Sequence, residues 1–497
     1  MTSPPTTRRW LALALLAITQ FVLILDTAIV IVAAPSMETD LGFTPEGLSW
    51  VANAYALAFG GLLLLGGRTS DIVGRRRMFI AGLALFALGS LAGALATVPL
   101  WLIIARAVQG VGAAAVSPAA LALVMTLFTD PEERNKALGI WGSVAAAGAA
   151  AGYIFGGLLT EGFGWQAVLW INVPIVVVAV LLAPRLLPEA RETTHRSFDV
   201  AGAVTVTGGI SLTVYALINA GNVGWITAQT LVLFTVAAAL LAAFVMIEAR
   251  SSQPLISLGI FRIASLRNGN GLILLTMGAM TPLFFFLTLY LQHVLEFTPL
   301  QAGLAQLPAA LCFALLGTQV GKLVSRIGYR IPATAGGLIG GAGMFWLAQV
   351  EVGGNYFTDV LAPLTIAALG GTLSVISLMI AATAEAPMES AGLASGLVNV
   401  TQQIGGAVGL AVLSTIAAAA NSQATERGAD SLAALTDGVG AALAVGAGFS
   451  VAAGILAAVL LRKARKGATE PDDSGKPPAA SAERHAVEEN ELPVTGR

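Results

Sequence analysis

The amino-acid sequence predicts an all-α membrane protein: two six-helix bundles with a two-helix hairpin inserted between them, fourteen membrane-spanning helices in all. Three observations predict it. First, the composition is more apolar than a water-soluble fold can hide. Of 497 residues 56% are hydrophobic and 11% charged, and the mean hydropathy is +0.81, whereas soluble domains carry about 25% charge. Second, apolar runs of roughly 20 residues, long enough to cross a bilayer as helices, recur from end to end. Third, a basic, glycine-flanked loop occurs twice, as Gly67-Arg68-Thr69-Ser70-Asp71-Ile72-Val73-Gly74-Arg75-Arg76-Arg77 and, degraded, as Gly321-Lys322-Leu323-Val324-Ser325-Arg326-Ile327-Gly328-Tyr329-Arg330. Gly67 corresponds to Gly321, Asp71 to Ser325, Gly74 to Gly328 and Arg76 to Arg330 at one constant spacing. Such an internal duplication points to a transporter rather than an enzyme or receptor.

The spans follow in order. The first, 10–34, succeeds a short polar N-terminus carrying Arg8 and Arg9; it is too long, and lacks the small-residue cleavage site, for a removable leader. Spans are expected next at 47–66, 78–97, 101–127, 138–160 and 166–184, then 200–219 and 229–248, then 268–291, 301–322, 331–349, 360–381, 393–417 and 439–461. Setting aside the pair 200–219 and 229–248 leaves two groups of six, with the repeated loop between the second and third span of each. The expected domains are an N-terminal bundle over 1–184, a linker and inserted hairpin over 185–250, a C-terminal bundle over 251–466 and a disordered cytoplasmic tail over 467–497, rich in Pro, Glu, Ala and Ser. Residues 250–267 are polar and mildly amphipathic, and are expected to lie along the inner surface.

Charge sets the orientation. With the N-terminus inside, all 26 basic residues except Arg106 and Arg427 fall in inner segments, as the positive-inside rule requires. The inner loop near Glu385 and Glu389 is acidic and breaks the trend. Trp50, Trp101, Trp165 and Trp225 fall at outer borders, where interfacial anchors belong. A multi-pass protein of the cell membrane with both termini cytoplasmic is the expectation.

Other classes find no support. A net charge of −2 implies no attraction to nucleic acid. The lone Cys312 excludes an internal disulfide and a cysteine-cluster metal site, and His195, His293 and His485 share no ligand spacing. There is no phosphate-binding loop ending in Gly-Lys-Ser/Thr, no catalytic constellation and no reason to expect a cofactor or metal. The expected energy source is an ion gradient, and the expected partners are protons, the lipid bilayer and a small amphipathic substrate, with the chain acting as a monomer.

Asp26 lies mid-span in Phe21-Val22-Leu23-Ile24-Leu25-Asp26-Thr27-Ala28-Ile29-Val30. A charge there costs several kcal/mol unless it faces the bundle interior and finds a partner. Two readings fit: a carboxylate that takes up and releases a proton, or a hydrogen-bonding node that pins the first helix. Arg106, heading Arg106-Ala107-Val108-Gln109-Gly110-Val111-Gly112, is the one basic residue well inside a span. At the helical rise per residue it lies roughly 8 Å inside the outer border and Asp26 roughly 14 Å, within reach of an arginine side chain. Arg106 is therefore expected to stabilise ionised Asp26; the alternative is an arginine extending to outer water.

In the first loop copy, Gly67, Asp71, Gly74, Arg75 and Arg76 are candidates for a conformational switch. The arginines suffice for topology but do not explain Asp71 or the glycines. Gly148, Gly152, Gly156 and Gly157 give the fifth span a smooth face for close packing. Asn53, Tyr55, Gln109, Gln292, Asn399 and Gln403 are candidate cavity residues, each also readable as an interhelical hydrogen-bonding group. The run Phe284-Phe285-Phe286 lines an apolar pocket or faces lipid.

On these residues the chain resembles the fourteen-helix drug:proton antiporters of the major facilitator superfamily, over roughly residues 10–465. The loop from Gly67 to Arg77 resembles the superfamily signature, with Asp71 and Gly74 at its central positions. Leu25-Asp26-Thr27 with Pro35 is similar to the first-helix motif of this branch. Arg106, Gln109, Gly110 and Gly112 match the fourth-helix motif, whose arginine the family links to proton coupling. Trp165, Asn172 and Pro174 match the pattern around helix six, and Tyr290-Leu291-Gln292 through Pro308 the helix nine to ten region. Three positions depart: Tyr153 stands where the fifth-helix antiporter motif has proline, Ser325 where the second loop has an acid, and Gln402 where the branch often has arginine. The resemblance implies alternating access by two rocking bundles, a peripheral hairpin, and proton-driven efflux of drugs, antibiotics or toxic metabolites. A proton-coupled importer or facilitator of one metabolite on the same fold is the alternative.

Overall fold

Helix starts and stops follow local chemistry. Thr44, Thr298 and Asp430 each accept a hydrogen bond from a backbone N–H of the first turn they precede, and Pro45, Pro99 and Pro299 open their helices where no intrahelical N–H is needed. The computed structural model describes residues 6–189, 200–251, 258–386 and 391–461. The first helices are α1 (Thr6–Leu41), α2 (Pro45–Val73), α3 (Arg75–Ala94), α4 (Pro99–Leu127) and α5 (Pro131–Phe163). A bent sixth span follows, made of α6 (Gln166–Trp170) and α7 (Asn172–Leu186). Then come α8 (Val200–Val223) and α9 (Ala228–Arg250). The last group is α10 (Ala264–Leu289), α11 (Pro299–Ile327), α12 (Arg330–Leu347), α13 (Ala362–Thr383), α14 (Ala391–Glu426) and α15 (Ser431–Leu460). A π-helical turn extends α10 through Tyr290–Val294, and another, Tyr356–Leu361, leads into α13.

Among the described residues there is no strand, and eleven helices are long and apolar enough to cross a membrane. The expected spans at 47–66, 138–160 and 331–349 are the helices α2, α5 and α12. Within the segment 250–267, Leu258–Arg262 forms a short 3-10 turn, and buried Ile260 packs with Leu266 of α10 and Ala394 and Leu397 of α14. The expected tail over 467–497 lies outside the described residues.

The packing repeats. In the first group α1 packs on α5 and α7, α4 on α2 and α3, and α3 on α7. In the last group α10 packs on α14 and α15, α13 on α11 and α12, and α12 on α15. Aligning the two loop copies turns each set into the other. The loop copies also match in detail. Both helices that precede them end at a glycine of positive φ, Gly74 at 118° and Gly328 at 78°, a conformation that side chains with a Cβ resist. Gly74 N–H bonds to Ser70 O and Gly328 N–H to Val324 O. Arg76 donates to the carbonyls of Pro184 and Leu187 at the end of α7, and Arg330 to Ala458 O at the end of α15.

Two seams join the groups, α2 on α14 and α5 on α11, and the same repeat exchanges them. The hairpin α8–α9 lies beside the α2–α14 seam: α8 rests on α2 and α14, with the Thr415 hydroxyl donating to Leu217 O. This is the fold of two six-helix bundles plus an inserted hairpin.

Candidate proton-coupling site

Gly110 begins the site. A Cβ there would stand 2.5 Å from Tyr55 O, so only glycine lets α2 come this near α4. That approach brings the Val51 carbonyl and the Tyr55 ring to Arg106: Nε donates to Val51 O at 3.0 Å, and the guanidinium carbon lies 4.5 Å from the ring centroid.

Asp26 and Arg106 are buried, with 0% and 1% of their side chains exposed, and meet at 2.5 Å, Nη1 to Oδ2. Nη1 also donates to Gln109 Oε1 at 2.9 Å. The other carboxylate oxygen, Oδ1, accepts from Asn172 Nδ2 at 2.7 Å and Gln109 Nε2 at 3.1 Å. Ser90 Oγ accepts from Gln109 Nε2 at 2.7 Å and Asn172 Nδ2 at 3.4 Å. Five helices of the first group thus converge on one carboxylate. Buried charge survives only when paired and hydrogen-bonded, and both conditions hold. Ser90 and the Val51 carbonyl were not foreseen; a serine in an apolar run carries no distinguishing signal.

The remaining candidates fall in other places. Asn53 is buried on α2, and neither its Oδ1 nor its Nδ2 has a partner among the described residues. Tyr55 and Gln109 belong to the Asp26 centre. Gln292, on the π-helical turn after α10, donates to Val32 O of α1 at 2.8 Å. Asn399 donates to Ser395 O of its own helix. A Cβ on Gly60 of α2 would lie 2.8 Å from Gln403 Cβ, in the α2–α14 seam.

The helix-five glycines divide between two neighbours. Gly148, Gly152 and Gly156 face α1, meeting Phe21 O, Ala28 and Val32. Gly157 faces α11, where a Cβ would stand 2.3 Å from Leu300 Cα. Across the same seam a Cβ on Gly303 would stand 2.1 Å from Tyr153 O, so the chain places a bare Gly303 against the residue that departs from the antiporter motif. Leu300 N–H bonds to Glu161, and His293 Nε2 lies 3.3 Å from Glu38 Oε2. All these cross-group contacts lie toward the α1–α2 end of the molecule. Toward the α2–α3 end α11 buries Val320 and Val324 but leaves Leu315 and Ile327 64% and 47% exposed.

Gly67 abuts Pro118 of α4, Gly74 caps α2, and Arg75 donates to Thr126 Oγ1 at 2.7 Å. Arg76 holds α7 and lies 3.4 Å from Glu189. Asp71 occupies the last turn of α2, and its side chain lies outside the described residues. Phe285 and Phe286 line a cavity of about 220 Å³ between α10, α14 and α15, while Phe284 packs on Tyr153.

A profile of the Major Facilitator Superfamily matches residues 16–410. The chain belongs to the Major Facilitator Superfamily. Its superfamily relatives include the cephamycin export protein CmcT of Amycolatopsis lactamdurans, 41% identical over 82% of this chain and 84% of that protein. The puromycin resistance protein pur8 of Streptomyces alboniger is 39% identical over 92% of this chain and 91% of that protein. Among solved structures, a bacterial homologue of the human lysosomal transporter Spinster, inward-facing and unoccupied, superposes with a TM-score of 0.67 at 14% identity, covering 92% of this chain and 98% of that one. At that identity the likeness shows the superfamily fold.

Proposed function

We propose that this chain is a proton-coupled exporter of amphipathic compounds, antibiotics among them, working by alternating access in the cell membrane as a monomer with both termini cytoplasmic. The observation that carries the coupling is the dry Asp26–Arg106 pair. Ionised Asp26 cancels the arginine charge. A proton on Asp26 leaves Arg106 among neutral acceptors, Val51 O and Gln109 Oε1, and so unbalances a buried site by one charge. Protonation therefore favours a conformation that readmits water. The export direction rests on the relatives, two of which are named for antibiotic export or resistance.

In this reading the α1–α2 end is outside, and the closed α5–α11 seam marks an outward-sealed state. The bundles 1–184 and 251–466 swing about the substrate, and 185–250 rides at the periphery. Substrate enters from the cytoplasm or inner leaflet, and an outside proton drives release. Each tenfold proton gradient supplies about 1.4 kcal/mol. Inverted vesicles decide: acidifying the lumen should drive a fluorescent amphipathic cation inward, and the Asp26→Asn protein should leave it equilibrated. Uphill uptake by Asp26→Asn at the wild-type level would remove the proposal.

A further inference from the structure

At the α2–α3 end of the second bundle a groove of about 170 Å³ lies between the start of α10, the second loop copy and the ends of α13 and α15. One wall is positive. The N-cap residue of α10, Ile263, offers its first turn no side-chain acceptor, so among the described residues no side-chain cap covers the first N–H groups of α10. Arg267 projects from the same turn, and among the described residues its side chain's one hydrogen bond is from Nε to Asn268 Oδ1 at 3.4 Å. Ser265, only 7% exposed, lines the groove, and its hydroxyl has no partner among the described residues. Asn268 Nδ2 donates to Leu460 O at 3.0 Å and holds α10 to α15, giving the groove its floor. The facing wall is negative: Glu385 follows α13, is exposed, and forms no ion pair among the described residues. Beside the groove, α15 presents an apolar stripe at helical spacing, with Ile455 54% and Val459 72% exposed.

We propose that this groove binds the headgroup of an aminophospholipid. The phosphate lies on the α10 N-terminus, Ser265 and Arg267; the ammonium lies on Glu385; the acyl chains run along Ile455 and Val459. A helix N-terminus with an arginine suits a phosphate, and a buried hydroxyl without a partner calls for one. A free phosphate would leave Glu385 as a repelling neighbour and gain nothing from the apolar stripe. A trimethylated headgroup would lose the hydrogen bonds that a primary ammonium donates to a carboxylate. This inference does not depend on the transport reading.

Native mass spectrometry of the full-length protein, delipidated in nonionic detergent, tests it against phosphatidylethanolamine, phosphatidylcholine, phosphatidylglycerol and inorganic phosphate. Phosphatidylethanolamine should bind on the order of tenfold more tightly than phosphatidylcholine, since losing a charge-assisted hydrogen bond costs about that factor. Glu385→Gln should abolish the preference and leave phosphatidylcholine binding unchanged, and Arg267→Gln should weaken both lipids. Glu385 is exposed, so its variant reports on binding rather than folding. Equal binding of the two lipids, an unaltered preference in Glu385→Gln, tighter binding of phosphatidylglycerol, or displacement by millimolar inorganic phosphate would each overturn the proposal.

Discussion

Asp26 holds three donors on two oxygens, and burial sets what each is worth. Removing one partner of a buried ion pair costs about 3–5 kcal/mol, because the other is left charged and dry. Asp26→Asn should therefore lower the midpoint of thermal unfolding as well as abolish uphill export. The double variant Asp26→Asn/Arg106→Met separates the two effects: it should regain most of the lost stability, read by thermal unfolding in detergent, while dye efflux stays absent. Restored efflux would show that the pair is only a structural node. Asn172→Leu removes the 2.7 Å bond to Oδ1 and should cost about 1–3 kcal/mol, seen as a smaller loss of stability with weakened coupling. The pair was legible in the sequence because a charge in an apolar run is conspicuous. Asn172 was visible only through the family resemblance, and Ser90 not at all, since neutral polar residues recur in membrane helices for many reasons.

Helix α5 shows why an element is harder to read than a residue. Its glycine stripe announced a close seam, but not with what. Consecutive helical residues point about 100° apart, so Gly156 meets α1 while Gly157 meets α11. Only the fold assigns the two neighbours. The segment 250–267 was legible only in part for a related reason: its mixed polarity marked it as lying along the surface, but not that Ile260 would tie a short turn to α10 and α14. The α5–α11 seam makes its own prediction. Gly303→Val would drive a methyl-bearing carbon onto Tyr153 O and force the seam open, at a cost of about 1–3 kcal/mol. With Cys312→Ser as background, a reporter Ala150→Cys should then react faster with an impermeant thiol reagent added outside. Unchanged reactivity would mean that the seam tolerates the added bulk without opening.

For the whole molecule, the repeat was legible from two short loops, because charge is sparse in such a chain and a cluster of basic residues flanked by glycines at a fixed spacing stands out. The equivalence of the α2–α14 and α5–α11 seams was not, since it depends on which helices meet across the middle. That equivalence predicts opposite motions at the two ends. Spin labels at Arg134 and Ile327, at the α2–α3 end, should approach when substrate is added to the reconstituted protein. Labels at Gly162 and Phe297, at the other end, should separate. Distances that shorten or lengthen together would rule out rocking.

One connection runs through α1 alone. Its Asp26 is held by side chains of α4 and α7, all within the first bundle, while its Val32 carbonyl is held by Gln292 of the second. Six residues of helix, roughly 9 Å, separate the two attachments. A stiff rod anchored at both points would pass an axial slip or roll at the carboxylate on to the opposite half, so the coupling proposed above would need no flexible relay between the bundles.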